Sequence, residues 1–211
     1  MLASTAKVMV TDAASKLMPG TPFASPELAV SVPEPAGASS YARQVHAQRL
    51  VAAAPEMVAD LVTDLDRAHE WLTLHLSWRG ERPARMAPGE EFVQQIKLMD
   101  IPAQARWRVE RADVDGFELR GTGPMGITVG LWCTVVPAPG GSAVRLDGAL
   151  DGPPVRGPVG LTAVRSVETA LTESLEILAG VLDGDGVRRI PDEPVLHERT
   201  GQLLDPTTPV V

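Results

Sequence analysis

The sequence predicts an α+β fold: a curved antiparallel β-sheet wrapped around one long C-terminal α-helix. Three observations predict it. Residues 159–182 place Leu161, Val164, Val167, Leu171, Leu175, Leu178 and Leu182 at three- and four-residue spacing, the stripe of a helix with one buried face. Upstream, several short runs alternate apolar and polar side chains, as strands do in a sheet with one wet face. Between an early strand and those runs lie two short helical segments. A sheet with one dry face must cover it, and the 159–182 helix is the element long enough to do so.

Each element has its own signal. Arg43–Val51 alternates loosely and ends at Ala54-Pro55, a strand followed by a turn. Pro55 suits a first helical turn, and Val58, Leu61, Val62 and Leu65 follow at helical spacing. A second short helix is expected over 66–73, with Trp71 and Leu72 on one side. Four or five strands are expected next, the first of them over 91–99. The clearest is 103–111, where Ala103, Ala105, Trp107 and Val109 oppose Gln104, Arg106, Arg108 and Glu110. Asp115-Gly116 signals a hairpin, and Phe117, Leu119 and Gly121 then alternate with polar neighbours. Residues 127–136 are rich in β-branched side chains and carry Trp132; 137–141 read as a turn, and 142–150 return as a strand. Residues 152–158 break the chain, and Gly184 stops the final helix.

Composition sets the limits of the folded unit. The chain has 211 residues, 44% of them hydrophobic, with a net charge of −8. Residues 1–40 hold five prolines and one aromatic residue, Phe23, whereas seven of the eight aromatic residues lie within 41–183. A domain is therefore expected over 41–183, flanked by a disordered or weakly ordered extension over 1–40 and a flexible tail over 184–211. A short helix over 6–17 is expected within the extension. The acidic balance argues against nucleic-acid partners held by phosphate neutralisation and against a polybasic membrane surface. No apolar run approaches the roughly 20 residues of a membrane helix, and no secretory leader is evident, which points to the cytoplasm. The single cysteine, Cys133, excludes an internal disulfide framework.

Several motifs have plain readings. Gly121 to Gly126 spells G-x-G-x-x-G, but a strand former follows it and Pro124 removes an N–H, so a glycine-rich hairpin is expected rather than a nucleotide loop. His46, His69, His75 and His197 show no zinc spacing, and no metal or cofactor is expected. Cys133 reads as a buried inert thiol. Arg145 and Asp147 share the wet face of their strand, where a surface or strand-end salt bridge is expected.

Glu70-Trp71-Leu72-Thr73, then His75, Trp78 and Arg79, resemble the matching stretch of a mycobacterial group within the SRPBCC (START-like) superfamily. The likeness continues through Gly89, Pro102, Trp107, Gly121, Gly123, Gly126, Gly141-Ser142, Val144, Asp147, Gly152-Pro153, Gly157-Pro158 and Gly160 to Glu173-Ser174-Leu175. It spans about 45–183. The superfamily includes polyketide cyclases, aromatase-type proteins and lipid carriers, and the resemblance implies its helix-grip fold. The mycobacterial group consists of toxins of type II toxin–antitoxin pairs, which implies a growth-inhibiting role and an antitoxin-like protein partner. No catalytic set carries over.

The expected architecture leaves an apolar cavity between helix and sheet. The reading of the residues favours non-catalytic binding or transport of a hydrophobic small molecule there: a lipid, polyketide or isoprenoid. Trp107, Phe117, Leu119 and Trp132 are expected to line the cavity from the sheet, and Leu161, Val164 and Leu171 from the helix. Trp71 and Met99 are also expected to line it, with His46, His75 and Gln94 as polar groups that orient the ligand. Two other functions stay open: the toxin, and a cyclase or aromatase-type enzyme with His46 or His75 as acid or base.

Overall fold

The amphipathic helix and the alternating strands form in the expected order. The computed structural model describes residues 30–184; the helix expected over 6–17 and the tail beyond 184 lie outside them. Strand β1 (Arg43–Val51) leads into α1 (Pro55–Thr63), which buries Val58, Leu61 and Val62. Leu65 anchors a tight turn over Leu65–Arg67, and α2 (Ala68–Trp71) follows. That helix is shorter than the 66–73 expected because Leu72 already has extended backbone.

Six strands come next: β2 (His75–Arg79), β3 (Glu91–Leu98), β4 (Ile101–Asp113), β5 (Gly116–Thr122), β6 (Thr128–Ala138) and β7 (Gly141–Asp151). The sequence reading allowed four or five and missed β2. That strand has five residues and a register shift between His75 and Ser77, which breaks the alternation a reader looks for. A short α3 (Pro153–Arg156) and the long α4 (Pro158–Leu182) complete the domain. Among the described residues no helix is long and apolar enough to cross a membrane.

All seven strands lie in one sheet, in the order β1-β7-β6-β5-β4-β3-β2, and each neighbouring pair is antiparallel. The sheet curls around α4, giving the helix-grip architecture. Leu171, Leu175 and Leu178 of α4 are fully buried. Gly148 on β7 makes their approach possible, since a Cβ there would lie 2.9 Å from Val167 Cγ1 and 3.3 Å from Leu171 Cδ1. Thr73, just after α2, is tied to the same helix: its N–H donates to Ser174 Oγ at 3.0 Å and its hydroxyl donates to the Ala170 carbonyl at 2.8 Å.

The convex face of the sheet is also partly covered. Residues 30–42 cross it as an arm. Gln48 Nε2 donates to the Val30 carbonyl at 3.0 Å, Gly37 lies against the Arg120 guanidinium, and Ala38 is buried with Trp132 and Ala149. Tyr41 meets Trp132 edge-on, with ring centroids 5.7 Å apart. Val32 and Ala38 are both buried, so this segment, which composition placed before the domain, packs as part of it. Arg145 and Asp147 pair on this face at 2.7 Å, yet their side chains are only 13% and 7% exposed. The expected surface bridge is a nearly buried one, and the hydrogen bond from Arg145 holds that guanidinium even more firmly protonated than usual.

Candidate functional site

The concave face and α4 diverge at one end of the domain, and a cavity forms there. Its cause is side-chain volume. The walls carry Ala103 and Ala105 on β4, Gly123 in the β5–β6 loop, and Gly160 and Ala163 on the first turns of α4. An outer chamber of about 310 Å³ is bounded by the β3–β4 turn, the β5–β6 loop, α3 and the start of α4. That volume is at the lower end of the range for small-molecule pockets, about 300–1,000 Å³. An inner chamber of about 50 Å³ adjoins it across Leu98, Ala103, Pro124 and Ile127, and reaches Trp107, Leu131 and Val167.

Two methionines shape the mouth. Met99 and Asp100 form the two-residue turn between β3 and β4, both at positive φ, the mirror-image geometry that suits twisted hairpins. Met99 is held there because its N–H donates to Ser166 Oγ on α4 at 3.0 Å. Met125 in the β5–β6 loop also has positive φ, and its side chain is 77% exposed. Ile101, 61% exposed, adds a third apolar side chain to the rim. The G-x-G-x-x-G stretch is thus part of a hairpin loop at the cavity entrance.

Neither chamber is lined by a charged side chain among the described residues. The buried polar side chain of the lining is Gln94, on the dry face of β3 between Phe92 and Ile96. Its carboxamide sits in a short relay. Trp107 Nε1–H donates to Gln94 Oε1 at 2.8 Å, and Gln94 Nε2 lies 2.8 Å from His75 Nδ1. An indole N–H can only donate, so the amide oxygen faces Trp107 and the amide nitrogen faces His75. His75 Nδ1 is therefore the acceptor, and a neutral imidazole carries its proton on Nε2. The imidazole ring also packs against Trp78, centroids 4.5 Å apart. Gly121 gives Trp107 its place, because a Cβ there would lie 2.8 Å from Trp107 Cε3.

Residues 42–183 match the family described as polyketide cyclase / dehydrase and lipid transport. The chain belongs to this family. Among its relatives, toxin Rv0910 of Mycobacterium tuberculosis H37Rv is 31% identical over 131 residues, 62% of this chain and 91% of that one. Rv1546 of the same strain, described as uncharacterized, is 33% identical over 126 residues, 59% of this chain and 88% of that one. The fold likeness to a START superfamily protein from Mycobacterium smegmatis has a TM-score of 0.55 at 15% identity, over 68% of this chain and 99% of that one. A protein from Mesorhizobium loti gives 0.53 at 16% identity, over 68% and 99%.

Within this family member the residues singled out from sequence separate into four groups. Trp107 and Gln94 line the inner chamber, Met99 lines the outer one, and His75 supports Gln94 from behind. Trp71, Phe117 and Leu119 pack in the core deeper than the chambers, around a crevice of only about 10 Å³, and Leu171 is buried where the helix closes on the sheet. Val164 packs against the core from the side of α4. Trp132, Leu161 and His46 lie elsewhere. Trp132 points to the convex face, since it pairs with Glu118 and Asp147 while Leu131 and Cys133 point inward. Leu161 is 49% exposed, one residue off the line of Gly160 and Ala163 that faces the cavity. His46 is exposed on the convex face, paired in register with Asp147, which leaves it unable to orient a ligand inside the cavity.

Sequence reasoning missed the outer chamber. Its walls combine Leu98, Met99, Ile101, Met125, Ile127 and Val155 with prolines, alanines and a glycine drawn from two hairpins and two helices, so no single element shows a stripe for it. The usable signal was the pair of small residues, Ala103 and Ala105, on the dry face of a strand that otherwise shows Trp107 and Val109. Cys133 is fully buried, and desolvation pushes its thiol up to about 12.

Proposed function

We propose that this chain binds a hydrophobic small molecule of lipid, polyketide or isoprenoid type in the two-chamber cavity and does not transform it. The observation that carries this reading is the cavity itself: apolar, free of charged lining residues and open past Met99, Ile101 and Met125. Apolar burial at about 25 cal/mol per Å² supplies affinity without a specific partner for every ligand atom. The lining also argues against acid–base chemistry. Among the described residues it has no carboxylate, cysteine or lysine, and His75 spends its Nδ1 on Gln94.

The test is direct. Protein purified under native conditions is denatured and extracted, and the extract is examined by mass spectrometry for a stoichiometric lipophile. In parallel, the neutral dye N-phenyl-1-naphthylamine is titrated into the apo protein. Saturable binding that Ala163→Trp abolishes supports the reading. An empty protein that also ignores the dye refutes it.

The toxin-named relatives favour a second reading: growth inhibition relieved by an antitoxin-like partner. Inducing the gene alone in a mycobacterial host, and then with its neighbour, decides it. Normal growth in the first arm eliminates the toxin. The cyclase or aromatase reading has the family description behind it. It requires turnover that changes when His75 is replaced.

A further inference from the structure

We infer that the ligand carries one uncharged hydrogen-bonding head, a hydroxyl or a carbonyl, seated on the Gln94 carboxamide at the inner end of the cavity, and that Trp107 and His75 are positioning residues that set which way this carboxamide faces. This rests on the reading of the cavity as a ligand site and specifies what that site accepts.

The argument is an inventory of hydrogen-bonding capacity. A primary carboxamide has two N–H donors and two acceptor lone pairs on its oxygen. In Gln94 one lone pair takes the Trp107 N–H and one N–H goes to His75 Nδ1, each at 2.8 Å. One donor and one acceptor remain. The amide cannot exchange its ends freely. Turning it over would set NH₂ against the indole N–H, and a shift of the His75 tautomer could repair only the other end. Gln94, Trp107 and His75 are 3%, 5% and 7% exposed, so bulk water does not offset such a mismatch. The remaining donor and acceptor are therefore fixed in kind before any ligand arrives.

The rest of the lining decides what can use them. A carboxylate or an ammonium brought to Gln94 would lose its hydration and meet no opposite charge, because both chambers lack charged lining residues among those described. A hydroxyl can accept the free N–H, donate to the free lone pair, or both, and a carbonyl can accept the N–H. A purely apolar end would leave the carboxamide's remaining capacity unmet. Size fits this division. The inner chamber, about 50 Å³, suits a head group, and the outer one, about 310 Å³, suits an apolar body.

The experiment uses the full chain and four probes of one chain length: 1-decanol, 2-decanone, decanoate and decylamine. Each competes with N-phenyl-1-naphthylamine at pH 7.5, where the last two probes are charged. One good hydrogen bond against one buried unpaired charge predicts that the alcohol and ketone displace the dye at concentrations at least about tenfold lower than the two ions. Gln94→Met, close in volume and without the amide, should reduce that preference to within about threefold once each displacement is referred to the variant's own dye Kd. Trp107→Phe leaves Gln94 present but unlocked. It should weaken ketone binding more than alcohol binding, because a hydroxyl tolerates either amide orientation; it serves as the second variant if the first does not fold. Decanoate or decylamine binding as well as decanol overturns the inference and leaves the cavity reading intact. A preference that survives Gln94→Met also overturns it. Failure of the dye and every probe removes both.

Discussion

Replacing Gln94 by Met should expose how much of the inner wall's order the relay maintains. The substitution conserves volume and removes the carboxamide from between its two partners. Trp107 Nε1–H loses an acceptor at 2.8 Å, and His75 Nδ1 loses a donor at the same distance. Orphaning a buried polar group costs about 1–3 kcal/mol, and burying thioether in place of amide returns part of that, so a net loss of about 2–4 kcal/mol is expected. At about 2–4 °C per kcal/mol for a domain of this size, the midpoint should fall by about 4–16 °C. Trp107→Phe removes the indole N–H and some volume, a loss of about 1–3 kcal/mol. The two effects overlap, because Gln94→Met leaves no orphan N–H once residue 107 is Phe. The double variant should therefore be more stable than the sum of the singles by about 1–2 kcal/mol. Guanidinium unfolding followed by far-UV circular dichroism on all four proteins measures this; fluorescence would confuse loss of Trp107 with unfolding. Strict additivity, within about 0.5 kcal/mol, would refute the hydrogen bond and with it the fixed amide orientation.

Other outcomes follow from single contacts. Cys133 has a folded-state pKa raised from 9.0 to about 12, so its contribution to stability is complete below pH 9 and declines as pH rises towards 12. Chemical denaturation across that window should show stability falling by up to about 1.4 kcal/mol per pH unit beyond the slope of Cys133→Val, and native protein at pH 8 should not react with a thiol reagent. Gly148→Val should push α4 off β7, with a loss of about 1–3 kcal/mol by urea unfolding; an unchanged midpoint would show that the close approach is not needed. Ser174→Ala should cost about 1–2 kcal/mol, because the Thr73 N–H loses its acceptor, while a Thr73→Ser control stays near wild type. A chain beginning at residue 42 should raise acrylamide quenching of tryptophan, since Ala38 and Tyr41 no longer shield Trp132. Unchanged quenching would mean that the arm does not hold its place in solution.

The legible part of the fold was the part with a clean period. The 25-residue α4 announces itself because its buried side chains recur at three- and four-residue spacing over its whole length. β4 and β5 were legible for the matching reason, a two-residue alternation facing one wet side. β2 was not, because its bulge falls inside a five-residue strand. The arm over 30–42 was invisible to composition. Its Pro and Ala content resembles a linker, and what fixes it is a surface on the far side of the sheet, which no local pattern encodes.

The candidate site shows why hydrophobicity alone misassigns residues that parity assigns correctly. On β6, Thr128, Gly130, Trp132 and Thr134 share one face, and Val129, Leu131, Cys133 and Val135 share the other. Strand alternation puts Trp132 with the polar set, and the space over Gly130 receives its ring. Only a reading that weighs the size of Trp above its position sends it inward. Gln94 is the converse case. It stands among Phe92, Ile96 and Leu98 on the dry face of β3, and a polar side chain kept at such a position needs a partner or a use. The partners are Trp107 and His75, on β4 and β2, and only the pairing of three strands brings them together. The cavity follows the same logic. Where Leu171, Leu175 and Leu178 meet the sheet the grip is closed; where Gly160 and Ala163 face Ala103 it stays open. One helix thus serves as core at its C-terminal half and as a chamber wall at its N-terminal half. The difference lies in a few residues too small to fill the gap.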